Sequence, residues 1–418
     1  MTNVRAERAR PRDGQRRHAL RYAVVLRSPQ LRAVAAAHAI SMFGTVAADA
    51  ALSLLIYRET KSGLYAALAF SVVFIPQAFS GAFLGGLAGR YQPRTVLVGA
   101  NAASALLAAT MAAPWTPVGW QLALAAVLGT IVPIHSGTRA AMLVDSLDHD
   151  TFLAARSVLR IIAQLAVVPG FVCGGALAAE FGPRAVLLGN AASFALAALL
   201  LFFATARMPG PRPVTELHVH PMASVRALRQ DFRQSSLRRT ALRLWLPISF
   251  ASAGTGITVA YATQIGQGGT AVGLLLAAFA GGAIIGEVCC SRLSAGARRK
   301  SATSLILLTQ LPSLGFAVSP PLFAAILLRA LSGSGLAYLQ SVDADLLQLT
   351  DDATRRRVMI FVSSGVMACQ GIAMAVAGAI TLVARPSLVI AGSGAVGVIV
   401  CIAALGQRHG RGHPALVA

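Results

Sequence analysis

Acidic side chains are scarce in this sequence: Asp and Glu together number 15 among 418 residues, against 36 Lys and Arg. Charged residues of both signs make up only 12% of the chain, whereas soluble domains average about 25%. Hydrophobic residues make up 56%, and many apolar runs reach or approach the roughly 20 residues that a helix needs to cross a bilayer. The composition therefore excludes an ordinary soluble domain and predicts an all-α polytopic membrane protein.

Cysteines and catalytic motifs are also few. The sequence contains no phosphate-binding glycine loop and no nucleophile with a base at catalytic spacing. The five cysteines all fall within apolar runs, and none shows the spacing of a zinc site. We interpret them as small buried side chains, and we expect no cofactor, no metal site and no enzymatic activity. They are Cys173, Cys289, Cys290, Cys369 and Cys401.

Positive charge is abundant, with a formal net charge of +21. Such an excess can indicate a nucleic-acid partner, but here the arginines lie between apolar runs rather than in a separate polar domain. Residues 207–243 alone hold eight arginines against Glu216 and Asp231. Basic loops are typical of the cytoplasmic side of a membrane protein, so we expect the lipid bilayer, and no nucleic acid, to be their partner.

The apolar pattern predicts twelve transmembrane helices in two pseudo-symmetric six-helix bundles. A cytoplasmic basic segment (1–32) precedes the N-terminal bundle (33–206). A cytoplasmic linker (207–241) leads to the C-terminal bundle (242–405) and a cytoplasmic tail (406–418). The predicted helices are 33–56, 65–89, 95–113, 118–138, 158–178, 185–206, 242–262, 270–290, 302–318, 321–345, 358–382 and 387–405.

The distribution of Lys and Arg supports this membrane topology. With the amino terminus in the cytoplasm, the cytoplasmic segments hold 31 of the 36 basic residues, and the outer loops hold only Arg58, Lys61, Arg184 and Arg385. The last one, Arg329, falls within a predicted helix. Because cytoplasmic loops carry the excess of Lys and Arg, this split predicts a multi-pass protein of the plasma membrane with both termini in the cytoplasm.

The two halves show a weak internal repeat. Gly175 and Pro183, at the end of predicted helix 5, each lie 203 residues before Gly378 and Pro386, at the end of predicted helix 11. Gln residues stand near both pairs with a slightly different spacing. Many secondary transporters are built from such duplicated bundles, with the substrate site at the interface between the repeats.

A glycine-rich segment between predicted helices 2 and 3 carries a family resemblance. Residues 85–94 read Gly-Gly-Leu-Ala-Gly-Arg-Tyr-Gln-Pro-Arg, which resembles the Gly-x-Leu-Ala-Asp-Arg-x-Gly-Arg-Arg signature of the major facilitator superfamily. Gly89 stands where the signature has an acid, which in the family joins a cytoplasmic charge cluster. The resemblance implies a secondary transporter that moves a small molecule without covalent chemistry.

Further segments resemble one branch of that superfamily, the macrolide-efflux and enterobactin exporters. They are the end of predicted helix 1 (56–62), residues 139–145 and 153–157, and the basic turn at 355–359. This resemblance implies efflux of a drug or secondary metabolite in exchange for protons, and we expect a monomer. Uptake of a small metabolite and a non-transporting membrane scaffold or sensor stay open as alternatives.

Two ionisable residues inside predicted helices are candidates for proton or substrate coupling, since intramembrane charges are costly and mark transport pathways. Asp49 lies among alanines in helix 1, where a structural hydrogen bond or a place at the outer interface is the alternative. Arg329 lies in helix 10, within a segment that resembles a superfamily motif usually found in helix 4. Arg329 needs a counter-group, for which Asp49 is a candidate, unless its side chain extends to the outer surface.

Two further sets of polar residues complete the predicted site. Neutral side chains within helices are candidates to line the transport cavity, with interhelical hydrogen bonding as the alternative; they are Gln77, Asn101, Gln164, Gln340 and Gln370. Charged residues at the inner helix ends are candidates for a cytoplasmic gate, in which we expect Glu287 near Arg292 and Arg298, and Asp343 near residues 355–357. The gate candidates are Arg90, Arg94, Asp145, Glu287, Asp343 and Arg357.

Overall fold

The computed structural model describes residues 29–83, 91–146, 149–204 and 230–406, and these ranges are almost entirely helical. We number the helices by the twelve predicted spans. They are α1 Pro29–Thr60, α2 Gly63–Phe83, α3 Pro93–Ala112, α4 Val118–Ser146, α5 His149–Glu180, α6 Pro183–Ala204, α7 Ser235–Gly256 with Thr258–Gln264, α8 Gly269–Ser291, α9 Ala295–Leu314, α10 Leu322–Ser334 with Tyr338–Gln348, α11 Asp352–Ile380 and α12 Pro386–Gly406.

Eleven helices in these ranges are long and apolar enough to cross a membrane. The twelfth is α7, whose first turns carry Arg238, Arg239 and Arg243 and whose helix is interrupted at Ile257. The prediction of one continuous helix over 242–262 is corrected accordingly. The predicted helix 10 is also interrupted, because a 3₁₀ turn at Gly335–Ala337 separates its two α-helical pieces.

The two bundles repeat the same packing. In the first, α1 packs on α5 and α6, α2 packs on α4, and α3 packs on α4 and α6. In the second, α7 packs on α11 and α12, α8 packs on α10, and α9 packs on α10 and α12. Each contact of one half thus has its counterpart six helices later, which is the two-fold arrangement that the sequence repeat predicted.

The bundles meet along two helix pairs, α2 with α11 and α5 with α8. Glycine allows the backbones to approach closely at both. A Cβ on Gly175 would lie 2.5 Å from the oxygen of Gly269 and 2.7 Å from Cα of Gly273. A Cβ on Gly378 would lie 2.6 Å from Cβ of Ala67. Small residues are typical of such close helix contacts in membranes, and Gly175 and Gly378 hold equivalent places in them.

These close contacts lie at one end of the bundles, which we call the outer end after the predicted topology. Here α1 is buried continuously from Ala50 to Ile56, and α7 from Gly256 to Ala262. The next residues inward that are only half-buried are Asp49 on α1 and Thr255 on α7. Packing therefore closes the outer ends of both helices immediately beyond these two polar residues.

Candidate functional site

Asp49 occupies the middle of an apolar helix. Its neighbours Ala47, Ala48, Ala50 and Ala51 are buried, while Asp49 itself is half-buried. At 1.5 Å per residue, it lies roughly 15 Å from the outer end of α1. Its carboxylate has no hydrogen bond or ion pair within the part of the chain that the structure describes. The structural hydrogen bond considered as an alternative for Asp49 is thus not observed.

Arg329 is buried inside the C-terminal bundle, with only 2% of its surface exposed. Its Nη2 donates to the hydroxyl of Thr255 at 2.7 Å, and its guanidinium carbon lies 4.3 Å from the ring centre of Phe279. Its Nε and Nη1 have no acceptor among the described residues. Arg329 therefore does not extend to the outer surface, and Asp49 is not its partner.

The two-fold packing of the bundles relates Asp49 to Thr255, with a spacing three residues longer than that of the sequence repeat. These residues are 206 positions apart, which is also the spacing that relates Gly63 to Gly269 at the equivalent bundle contacts. The half-buried face of α1 thus presents a carboxylate, and the matching face of α7 presents a hydroxyl bonded to a guanidinium. The two related sites are opposite in electrostatic character.

A cluster on the inner side joins the bundles through Glu287 of α8. Its carboxylate accepts a hydrogen bond from Arg160 at 2.8 Å and one from Gln164 at 3.0 Å, both on α5. Gln340 of α10 donates to the backbone oxygen of Glu287 at 3.1 Å. Arg160 also lies close enough to Asp343 to interact electrostatically. We call Arg160, Gln164, Glu287 and Gln340 the inner latch.

The inner latch corrects several expected contacts. Glu287 pairs with Arg160 of the other bundle, not with Arg292 or Arg298 of its own. Gln164 and Gln340, predicted to line the cavity, both bond to Glu287. The latch is therefore a contact between the two halves, whereas the expected pairs would have stayed within the C-terminal half.

The basic residues in the first turns of α11 also have different partners from those expected. Arg357 binds Asp231 through Nε at 3.0 Å and Nη2 at 2.6 Å, and does not contact Asp343. Asp345 pairs with Arg299 at 3.3 Å. Asp351 caps α11 by accepting from the side chain and backbone of Thr354, and these hydrogen bonds hold the pKa of Asp351 below its usual value. These contacts stay within the C-terminal half and do not join the bundles.

The remaining gate candidates are only partly described. Arg94 donates from Nη2 to the backbone oxygen of Phe202 at 2.7 Å and stacks on its ring, so it packs against the end of α6. Arg90 lies outside the described residues. Asp145 lies in α4, but its side chain is not described.

The other cavity candidates lie apart from one another. Gln370 is buried and accepts from Ser252 of α7 at 3.0 Å, which is an interhelical bond. Gln77 is half-buried on α2. Asn101 lies inside the N-terminal bundle, where it lines a cavity of about 10 Å³ with His38 and Arg139. That volume is about the size of one water molecule, so this cavity is too small for a substrate.

A larger groove of about 700 Å³ lies between α1, α5 and α6. Leu165 and Phe181 on its rim are each 68% exposed, and its walls are mostly apolar. Among the predicted site residues, none lines it. The groove is open, with exposed apolar side chains on its rim.

Sequence reasoning missed Thr255, Phe279 and Arg160. Thr255 and Phe279 are uncharged residues within apolar helices, and only the 206-residue spacing from Asp49 distinguishes Thr255. Arg160 was counted among the cytoplasmic arginines, since it lies at the start of the predicted span. Its pairing with Glu287 depends on how α5 and α8 cross, which no local pattern shows.

Comparison with known proteins agrees with this architecture. The sequence profile of the Major Facilitator Superfamily matches residues 34–263, more than half of the chain. No curated protein matches the chain. Solved structures are similar to it in fold, at identities too low to show more than the fold.

Three of these structures are transporters. A bacterial homolog of the human lysosomal transporter Spinster, inward-facing and unoccupied, has a TM-score of 0.67 at 13% identity and covers 93% of this chain and 100% of its own. The nucleoside transporter NupG has a TM-score of 0.71 at 12% identity, with coverages of 91% and 100%. A POT family transporter in complex with a thioalcohol conjugated peptide has a TM-score of 0.68 at 12% identity, with coverages of 90% and 95%. The chain belongs to the Major Facilitator Superfamily of secondary transporters.

Proposed function

We propose that this transporter exports a small amphipathic or hydrophobic compound across the plasma membrane in exchange for protons. The observation that supports proton coupling is Asp49, a half-buried carboxyl group without a partner among the described residues, in the middle of an apolar helix. Intramembrane acids in transporters commonly serve as proton relays. Asp49 would accept a proton from the outside and release it to the cytoplasm as the protein changes orientation.

The two bundles would rock against each other, so that a central site opens to one side at a time. The outer end is closed in this structure by glycine contacts such as Gly175 with Gly269. The inner latch spans the same two helices, α5 and α8, on the opposite side. Release of one contact and tightening of the other would alternate access between the two faces.

The substrate class follows from how few charges the interior holds. The described interior holds few charged side chains: Asp49 in α1, Arg329 in α10 and the half-buried Arg139 in α4. A molecule with several charges would need a counter-charge for each, because an unpaired charge in an apolar interior is costly. A mainly apolar body with few polar groups suits this interior better.

Replacement of Asp49 by Asn tests the proposal, because it keeps the size of the side chain and removes the proton that it can carry. A toxicity screen in a strain without its own pumps first identifies a transported compound. In everted membrane vesicles, we expect Asp49→Asn to reduce proton-driven transport of that compound at least tenfold. The purified variant should keep the wild-type melting temperature and elution volume.

Glu59→Gln is the matched control. Glu59 lies on the same helix, at its outer end, and pairs with Arg184 at 2.7 Å. This variant should transport as the wild type does. Unchanged transport by Asp49→Asn would refute proton coupling at this residue. Accumulation only when the proton gradient is reversed would favour uptake over export, and purified protein that moves nothing in liposomes would favour a scaffold.

A further inference from the structure

The hydroxyl of Thr255 bonds differently from those of three nearby threonines on α1 and α7. Thr45, Thr258 and Thr263 each donate to the backbone oxygen four residues earlier, at 2.8 to 3.0 Å. Thr255 makes no such bond, and instead its oxygen accepts from Arg329. Arginine has donors only, so the hydroxyl hydrogen of Thr255 stays available. Thr255 is half-buried and can therefore offer this hydrogen to a bound molecule.

The surroundings of Arg329 are arranged to hold the guanidinium in this place. Gly254 precedes Thr255, and a Cβ there would lie 2.7 Å from Nη1 of Arg329. The absence of a side chain at Gly254 lets the guanidinium approach the α7 backbone. Phe279 covers its other face at 4.3 Å. These contacts hold Nη2 of Arg329 against the hydroxyl oxygen of Thr255. A hydroxyl that accepts from a charged group becomes a stronger hydrogen-bond donor.

Arg329 also lacks a neutralising charge. It forms no ion pair with any residue in the described ranges, and two of its nitrogens have no acceptor there. Arg stays charged at any working pH, and a buried charge without compensation is strongly unfavourable. An anionic group beside Thr255 would be attracted by this charge and would accept the free hydroxyl hydrogen.

We propose that Thr255 and Arg329 form the anchoring point for a carboxylate on the transported compound. This assignment rests on the proposed transport function and narrows its substrate class to amphipathic carboxylates, in which an apolar body carries one acidic group. The apolar body would lie along the uncharged helix faces, and the carboxylate would accept from the Thr255 hydroxyl. Arg329 acts through Thr255 and positions it.

The test compares ligands that differ only in the polar group. Purified protein at pH 7 is titrated with phenylacetate, phenylpropionate and phenylbutyrate, and with the three matching alcohols, and the rise in melting temperature is measured. For at least one pair, we expect the carboxylate to stabilise the wild-type protein at a concentration at least tenfold lower than its alcohol. If no carboxylate of the series is preferred to its alcohol, the assignment is wrong.

Variants at position 255 separate the hydroxyl from general packing. Thr255→Val keeps the shape without the hydroxyl and should lose the preference for the carboxylate. Thr255→Ser restores a hydroxyl and should restore the preference. Gly254→Ala should weaken it, because the added methyl displaces the guanidinium. Retention of the full preference in Thr255→Val would overturn the assignment.

Two measurements distinguish the two proposals: the carboxylate preference of the wild-type protein, and transport by Asp49→Asn. Glu59→Gln, which changes only an outer ion pair on the other bundle, should keep the carboxylate preference. If the wild-type protein does not prefer carboxylates to alcohols but transport still depends on Asp49, only the anchoring point is refuted. If the wild-type protein prefers carboxylates but Asp49→Asn transports normally, proton coupling at Asp49 is refuted and the anchoring point stands.

Discussion

Glu287 joins three helices through one side chain and its backbone. Arg160 and Gln164 reach it from α5, and Gln340 reaches it from α10. Arg160 is 73% exposed and Glu287 is 32% exposed, and exposed ion pairs contribute only about 0–1 kcal/mol. A contact of this strength can bias the position of the bundles without locking it.

Glu287→Gln should therefore shift the conformational equilibrium modestly. The amide removes the ion pair with Arg160 and keeps the size of the side chain. We expect the population with separated inner ends to increase by less than about fivefold, which corresponds to about 1 kcal/mol. Distances between spin labels on the inner ends of α5 and α8 would measure it.

Asp345→Asn provides the control for this experiment, because it breaks an ion pair with Arg299 inside one bundle. That variant should leave the distance distribution unchanged. An equal shift in both variants would mean that the inner latch does not set the position of the bundles.

For single residues, the sequence indicated which side chains matter but not which side chains they contact. Asp49 and Arg329 are conspicuous because charges inside apolar helices are rare. Their surroundings were not predictable, since Thr255 and Phe279 reach Arg329 from two other helices. The expected pairing of Glu287 with Arg292 and Arg298 followed closeness in sequence, whereas Arg160 is 127 residues away.

Between the two bundles, α5 and α8 approach so closely that a side chain larger than hydrogen does not fit at Gly175. Gly175→Ala would place a methyl group 2.5 Å from the oxygen of Gly269, so the helices must separate or deform. Overpacking of this kind costs about 1–3 kcal/mol. We expect a lower melting temperature, together with increased labelling of cysteines introduced at the outer ends of these helices.

Gly189→Ala is the comparison for this change. Gly189 also lies near the outer end of a membrane helix, α6, but a Cβ there would have no neighbour within 4 Å. This variant should label and unfold like the wild type. If the two alanine variants behave alike, the contact between α5 and α8 does not limit the side chain at Gly175.

Helix ends were predicted less well than helix centres. The sequence predicts 158–178 for the fifth helix, but α5 runs from His149 to Glu180. Its 32 residues extend over about 48 Å at 1.5 Å per residue, well beyond a hydrocarbon core of about 30 Å. The additional turns are polar, so the apolar pattern could not indicate them. The interruption at Ile257 likewise has no proline or charge to mark it.

The whole molecule has a predicted orientation that labelling can test. After the five natural cysteines are replaced, Trp115→Cys places one thiol in the connection between α3 and α4, at an 82% exposed position. Arg292→Cys places one at the other side, after α8. A membrane-impermeant maleimide should label the first on intact cells and the second only after permeabilisation, as the distribution of Lys and Arg requires.

Reaction of Arg292→Cys on intact cells, with Trp115→Cys protected, would invert the topology and with it the direction of the proposed transport. The fold itself would survive that result. Its twelve apolar segments and duplicated halves followed from the sequence, because hydrocarbon length and helix geometry constrain them. The position of the bundles relative to each other could not be predicted from the sequence, because it depends on weak contacts between distant segments.

The glycine contact at the outer end has a consequence for the speed of transport. Gly175, Gly269 and Gly273 meet backbone to backbone, with no side chains interlocked between them. When the halves tilt, these three glycines have no side chains of their own to disengage. This part of the outer contact can therefore separate and re-form with little internal friction.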